Sequence, residues 1–189
     1  MWKELTNIWR ANDLSKQAWD QSCEMLELSK NIFSQAIIYL REAQNIETLK
    51  KLKKRDKEIN EFQQEVRRKV LTHYSVQSEK VDIANGLILI NTVVDIERIG
   101  DYCKNILDLA INHPTQIISE EISEDLATIE NEVQSRFDKT CEAINKQDTN
   151  IAKDMMKDYR EQLAGKSDEI VNNVSVSYTH LTLPTNREV

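Results

Sequence analysis

An apolar period of three and four residues runs along almost the whole chain, from about residue 12 to about residue 174. Gly and Pro are scarce, with 3 and 2 residues among 189, so few positions interrupt this period. A β-sandwich or barrel would need many more turn residues. The sequence therefore predicts an all-α fold made of long helices.

Three helices are predicted before Pro114, over residues 12–42, 46–74 and 81–112. The third should stop at Pro114, because the residue before a proline disfavours the helical conformation. Three helices joined by short loops can enclose one core as an antiparallel bundle. The inward face of the first helix is predicted from its spacing to contain Leu14, Ala18, Met25, Ile32, Ala36 and Tyr39.

The helical pattern starts again after Pro114 and predicts helices over residues 123–146 and 148–174. An Asp and an Asn four residues apart occur in the second helix of each half: Asp56 and Asn60, then Asp168 and Asn172. The chain is therefore predicted to be a tandem repeat of a three-helix unit. We place the first unit at 1–114 and an incomplete second unit of two helices at 115–176.

The last residues, 177–189, contain Pro184 and lack a helical period. They resemble a translated sequencing adapter more than native protein, so we predict a non-native, disordered tail that replaces a lost third helix. Without that helix, the second unit should expose an apolar face. A natural flexible tail is the alternative.

Charge and cysteine content narrow the class of protein. The net charge of -7 argues against nucleic acid as a partner, because phosphate binding needs an excess of Lys and Arg. Cys23, Cys103 and Cys141 are odd in number and form no CxxC, which predicts reduced thiols and a cytoplasmic protein. No apolar run is long enough to cross a bilayer.

The third predicted helix carries an unusual pair of acids. Its predicted inward stripe has spacings of four and three and ends in two carboxylates: Ile83, Leu87, Ile90, Val94, Glu97 and Asp101. In the second helix, Asp56 likewise takes a position of the apolar stripe, with Asn60 one turn further on. An acid that faces a core needs a compensating partner.

Packing these two helices together could bring Asp56, Asn60, Glu97 and Asp101 to one place. Carboxylate and amide oxygens suit hard or borderline divalent cations, and helix bundles can hold such metals. Two alternatives stay open: the acids lie on a solvated helix face, or arginines such as Arg98, Arg67 and Arg68 neutralise them. A basic run, 50–57, is interpreted as a solvated helix start rather than a binding patch.

The segment 95–101, with Asp56-Lys-Glu-Ile-Asn60 one helix earlier, resembles the signature of the PhoU family. That resemblance implies tandem three-helix bundles and an acidic E/D-x-x-x-D motif associated with a metal ion, matched here by Glu97 and Asp101. Asp56 matches the acidic position of the second helix, although Asn60 replaces its acidic partner. Asp168 and Asn172 are possible counterparts in the second repeat. Gly100 is expected to let a neighbouring helix approach closely.

The resemblance implies a regulator of phosphate uptake or of the phosphate-starvation response rather than an enzyme. The cofactor expected from it is a divalent or trivalent metal ion: iron, manganese, zinc or magnesium. The expected partner is a phosphate transporter or sensor kinase, which includes membrane proteins, and a homodimer is compatible with the family. Two alternative hypotheses stay open: a carboxylate-bridged metalloenzyme and a structural helical adaptor without metal.

Overall fold

The structure is a computed structural model that describes residues 11–41, 46–76, 83–112, 120–146, 148–159 and 163–181. Its helices are α1 (Ala11–Arg41), α2 (Ile46–Lys53), α3 (Asp56–Val76), α4 (Ile83–Asn112), α5 (Glu120–Lys146), α6 (Thr149–Asp158) and α7 (Ala164–Leu181). The described residues include no strand, so the predicted all-α fold is confirmed. None of these helices combines the length and hydropathy needed to cross a membrane.

The chain divides into two compact units, Met1–Ile117 and Ile118–Val189. In the first, α1, α3 and α4 pack against one another and α2 packs along α4. Burial of large apolar side chains supplies most of the stability of such a bundle. The core of the first unit contains Ala18, Met25, Leu26, Ile32, Ala36, Leu49, Leu52, Ile59, Val66, Val70, Leu89, Val93, Ile96, Cys103 and Leu107.

The single helix predicted over residues 46–74 is wrong, because α2 ends at Lys53 and α3 begins at Asp56. At the break, backbone N–H groups bond three residues back, with Arg55 N donating to Leu52 O at 3.0 Å. Three of the four i, i+4 pairs across this point join two cations: Lys50–Lys54, Lys51–Arg55 and Lys53–Lys57. Such pairs destabilise a continuous helix. An acid at the first residue of the new helix stabilises it instead.

The stripe predicted to face inward on α4 is also wrong. Ile83 and Leu87 are 59% and 56% exposed, and Ile90 and Val94 are only half-buried. The buried face of α4 lies on another side of the helix and contains Gly86, Leu89, Val93, Ile96, Gly100, Cys103 and Leu107. Glu97 and Asp101 are therefore at the edge of the bundle and half-buried rather than in its core.

In the second unit, α5 packs against α6 and α7. The Arg136 guanidinium ties α5 to the end of α6 by donating to the Met155 carbonyl at 2.9 Å and lying 5.6 Å from the centre of the Tyr159 ring. The structure has two helices, α6 and α7, where one was predicted over residues 148–174; residues 160–162 lie outside the described part. Met156, Tyr159 and Val171 are more than half exposed.

Helix α7 continues to Leu181, so residues 177–181, which were predicted to belong to a disordered tail, are helical. The rest of that predicted tail, 182–189, lies outside the described residues. The local signal was weak because Val, Ser and Thr have low intrinsic helix propensity. Both units thus show a long helix, then a helix of 8 or 10 residues, then another long helix.

Candidate functional site

Helices α3 and α4 are in close contact at Gly100. A Cβ atom placed on Gly100 would lie 2.8 Å from Ile59 Cδ1 and 3.2 Å from Ile59 Cγ2. Ile59 is fully buried, so its side chain has little room to move. The absence of a side chain at Gly100 therefore sets the distance between the two helices, and Asp101 and Asn60 are sequence neighbours of this contact.

Two predicted site residues from different helices meet beside that contact. The Lys104 ammonium on α4 lies 3.3 Å from Asp56 Oδ2 on α3 and 3.7 Å from Asp101 Oδ1 on its own helix. Asn60 Nδ2 donates a long hydrogen bond of 3.5 Å to the same Asp56 oxygen. Asp56, Asn60 and Asp101 are thus gathered around one lysine, and this set of four residues is called the Lys104 cluster below.

The electrostatics of the Lys104 cluster depend mainly on Asp56. A hydrogen bond to Asp56 and the charge of that carboxylate raise the pKa of Lys104, with a smaller contribution from Asp101. The Asp56 side chain is only 16% exposed, whereas that of Asp101 is 50% exposed. An ion pair gains strength as water is excluded from it, so Asp56–Lys104 is the stronger of the two pairs.

Glu97 is not part of the Lys104 cluster. It is half-buried one turn before Asp101, and within the described residues it forms no hydrogen bond or ion pair. Helix geometry puts Glu97 and Asp101 on the same side of α4. The contact with α3, however, is made by Asp101 through Lys104, and Glu97 lies one turn nearer the start of α4.

None of the three arginines named as neutralising partners pairs with these acids, and Arg67 forms no hydrogen bond or ion pair within the described residues. Arg98 donates to Asp95 at 3.1 Å, and Arg68 donates to Glu65 at 3.0 Å. Lys104, which the sequence reasoning missed, supplies the positive charge instead. One signal could have revealed it: Lys104 follows Asp101 by three residues, the spacing at which helical side chains meet.

The predicted metal ligands do not, as placed, form a metal-binding group. No set of three or more His, Cys, Asp and Glu side chains in the described ranges is positioned to hold an ion. Asp56 and Asp101 are the two carboxylates that converge, and the Lys104 ammonium lies within 4 Å of both. A metal ion at that point would have to displace an ammonium group of like charge.

The corresponding residues of the second unit are in a different environment. Asp168 and Asn172 are exposed on α7 and belong to no ion pair or hydrogen bond within the described ranges. Neighbouring side chains, including Asp125, Lys166 and Glu169, line a shallow depression between α5 and α7. The second Asp and Asn therefore repeat the first pair in sequence but not in its surroundings.

Comparison with protein families matches residues 23–110 to the PhoU domain. The chain contains a PhoU domain. The match covers α1 from Cys23 through most of α4 and includes the Lys104 cluster. The resemblance noted in the sequence is thus confirmed over this range, just under half of the chain. No match was found among the curated proteins or among the solved structures.

Proposed function

We propose that this protein regulates phosphate homeostasis by binding a partner protein in the cytoplasm, the expected partner being a phosphate transporter or a sensor kinase. The PhoU domain over residues 23–110 carries this proposal, because the PhoU family consists of phosphate-homeostasis regulators. Its regulatory, non-enzymatic character favours binding over turnover and disfavours the metalloenzyme alternative. The output would be a change in phosphate uptake or in the phosphate-starvation response.

An exposed apolar surface supports a mechanism based on protein contact. Ile83, Leu87 and Ile88 near the start of α4 are 56–62% exposed, as are Leu71 and Val76 near the end of α3, at 62% and 60%. These five side chains lie near the end of α3 or the start of α4. Exposed apolar side chains that share a helix face, as Ile83 and Leu87 do, are typical of protein interaction sites.

The test is made in a bacterium that lacks its own PhoU protein. Expression of the chain should lower the uptake of radiolabelled phosphate or the activity of a starvation-response reporter. Leu87→Glu should abolish this effect without unfolding the bundle, because the side chain is already exposed. Met156→Glu, an equally exposed position of the second unit, is the control and should retain activity. No effect of the unaltered chain on either readout would refute the proposal in that host.

The metal ion is a separate prediction. Iron, manganese, zinc or magnesium bound by Glu97, Asp101 and Asp56, with Asn60 nearby, would brace α3 against α4. Oxygen ligands of this kind suit such ions. Binding would require Lys104 to leave Asp56 and Asp101. The ion pairs of Lys104 favour the alternative in which a cation of the chain itself neutralises the acids and no metal is bound there.

A further inference from the structure

The position of Lys104 provides an inference that goes beyond the family assignment. Asp56 opens α3, Asp101 lies in the middle of α4, and the Lys104 ammonium lies within 4 Å of an oxygen of each. The cation comes from the chain itself, on the same helix as one of the two acids. It thus occupies the place between the carboxylates at which a metal ion bridging α3 and α4 would have to bind.

We infer that Lys104 is the resident cation of this site, so that it braces α3 against α4 and excludes divalent metal from Asp56 and Asp101. This inference deepens the proposed function, because it concerns what controls the acidic site of the PhoU domain. Its physical basis is competition: an ammonium group tethered to α4 has a high effective concentration at the carboxylates, and a free ion must compete with it.

Close packing at Gly100 strengthens that competition. The contact between Gly100 and Ile59 fixes the spacing of α3 and α4 beside the cluster. Asp56 is mostly buried, which limits its ability to turn away from Lys104 towards solvent. The two cations that flank Asp56 in sequence do not pair with it: Arg55 pairs with Glu58 at 3.1 Å, and Lys57 is exposed and makes no ion pair in the described part of the chain. Lys104 is thus the cation that the fold directs at Asp56.

The inference predicts that removal of the Lys104 charge creates a metal site. Lys104→Met keeps the length and apolar stem of the side chain but leaves Asp56 and Asp101 without their cation. Two unneutralised carboxylates attract a divalent ion, and Glu97 one turn away can add a third oxygen ligand. Lys104→Met should therefore bind Mn²⁺ at least tenfold more tightly than the unaltered full-length chain.

The experiment titrates Mn²⁺ into the full-length protein and its variants and follows free Mn²⁺ by electron paramagnetic resonance. Lys139→Met, an exposed lysine of the second unit without an ion pair, is the matched control for net charge. It should bind Mn²⁺ like the unaltered protein. The double variant Lys104→Met/Asp56→Asn should lose the affinity gained by Lys104→Met, because a carboxylate ligand is removed.

The outcomes distinguish a site occupied by Lys104 from a site that binds a metal ion. If the unaltered protein and Lys104→Met bind Mn²⁺ with equal affinity, and Asp56→Asn abolishes that binding, the inference is overturned. That result would support a metal site whose affinity does not depend on Lys104. Absence of Mn²⁺ binding in a folded Lys104→Met, checked by circular dichroism, would also overturn it. If Lys104→Met fails to fold, Lys104→Gln, which can still hydrogen-bond to Asp56, takes its place with the same expectation. The phosphate-uptake assay is independent of these results, so a failure there would concern only the proposed function.

Discussion

Replacement of Gly100 by alanine tests the packing that positions the Lys104 cluster. Alanine is favoured over glycine inside a helix by about 1 kcal/mol, so on propensity alone the change should stabilise α4. The new methyl group would, however, lie 2.8 Å from Ile59 Cδ1 and 3.2 Å from Ile59 Cγ2. Overpacking of a core typically costs about 1–3 kcal/mol.

The balance of these two effects gives the expected magnitude. Ile59 Cδ1 can turn away because it ends the side chain, whereas Cγ2 is attached directly to the branched Cβ and can move only if χ1 leaves its strongly preferred helical rotamer or the backbone shifts. Since Ile59 has no exposed surface, such a shift disturbs the core. We expect the packing cost to exceed the propensity gain, with a net loss of about 1 kcal/mol in the free energy of unfolding.

Urea unfolding monitored by tryptophan fluorescence is the appropriate assay. Trp19 lies on α1 in the first unit, so its emission reports on the bundle that contains Gly100. Gly165→Ala is the control, because a Cβ at Gly165 meets no atom within 4 Å. Gly165→Ala should leave the free energy of unfolding of the second unit unchanged or raise it, as measured by circular dichroism.

A double-mutant cycle with Ile59→Val identifies the cause. Valine lacks the Cδ1 atom that lies nearest to the new methyl group, so it should recover part of the loss caused by Gly100→Ala. We expect a favourable coupling of about 1 kcal/mol between the two changes. A stabilising Gly100→Ala, or a cycle without coupling, would refute the idea that Gly100 sets the distance between α3 and α4.

Three further predictions concern thiols and a helix cap. Burial raises the pKa of Cys103 from 9.0 to about 12, so the neutral thiol contributes stability below pH 9 that is lost as the pH rises towards 12. Between these pH values the free energy of unfolding of Cys103→Ala, measured by urea titration, should therefore fall less steeply than that of the unaltered protein. Iodoacetamide should modify the half-buried Cys23 before the buried Cys103 and Cys141, as judged by peptide mass mapping, and an equal rate at all three would contradict their burial. Asp148 accepts a hydrogen bond from Asn150 N at 2.8 Å, so Asp148→Ala should cost the second unit about 1 kcal/mol in urea, whereas Asp148→Ser should cost less.

The sequence predicted the helices well where the apolar period was regular. The first helix was expected over residues 12–42 and is found over Ala11–Arg41, and the third was expected over 81–112 and is found over Ile83–Asn112. The break at Lys54 and Arg55 was missed because the apolar positions on both sides, Leu52 and Ile59, are seven residues apart and fit one continuous helix. Like charges at i, i+4 disfavour a continuous helix at this point.

The buried face of α4 could not be predicted from its sequence. Apolar residues surround most of this helix, so the stripe that begins with Ile83 and Leu87 and the one that contains Leu89, Val93 and Ile96 are equally good candidates for the core. Helical spacing shows which residues share a face but not which face a neighbouring helix covers. The packing of α1 and α3 selected the second stripe and left Ile83 and Leu87 exposed.

Sequence alone thus determined the all-α class, most helix limits and the PhoU signature, because these depend on spacing along one chain. It also singled out two acidic residues by their place in an apolar stripe: Asp56 interrupts one stripe, and Asp101 extends another. Only the tertiary structure decided that Lys104 joins them and that Glu97 stays apart. The contact between Asp56 and Lys104 spans two helices and 48 residues of sequence, and it depends on how closely Gly100 lets those helices approach.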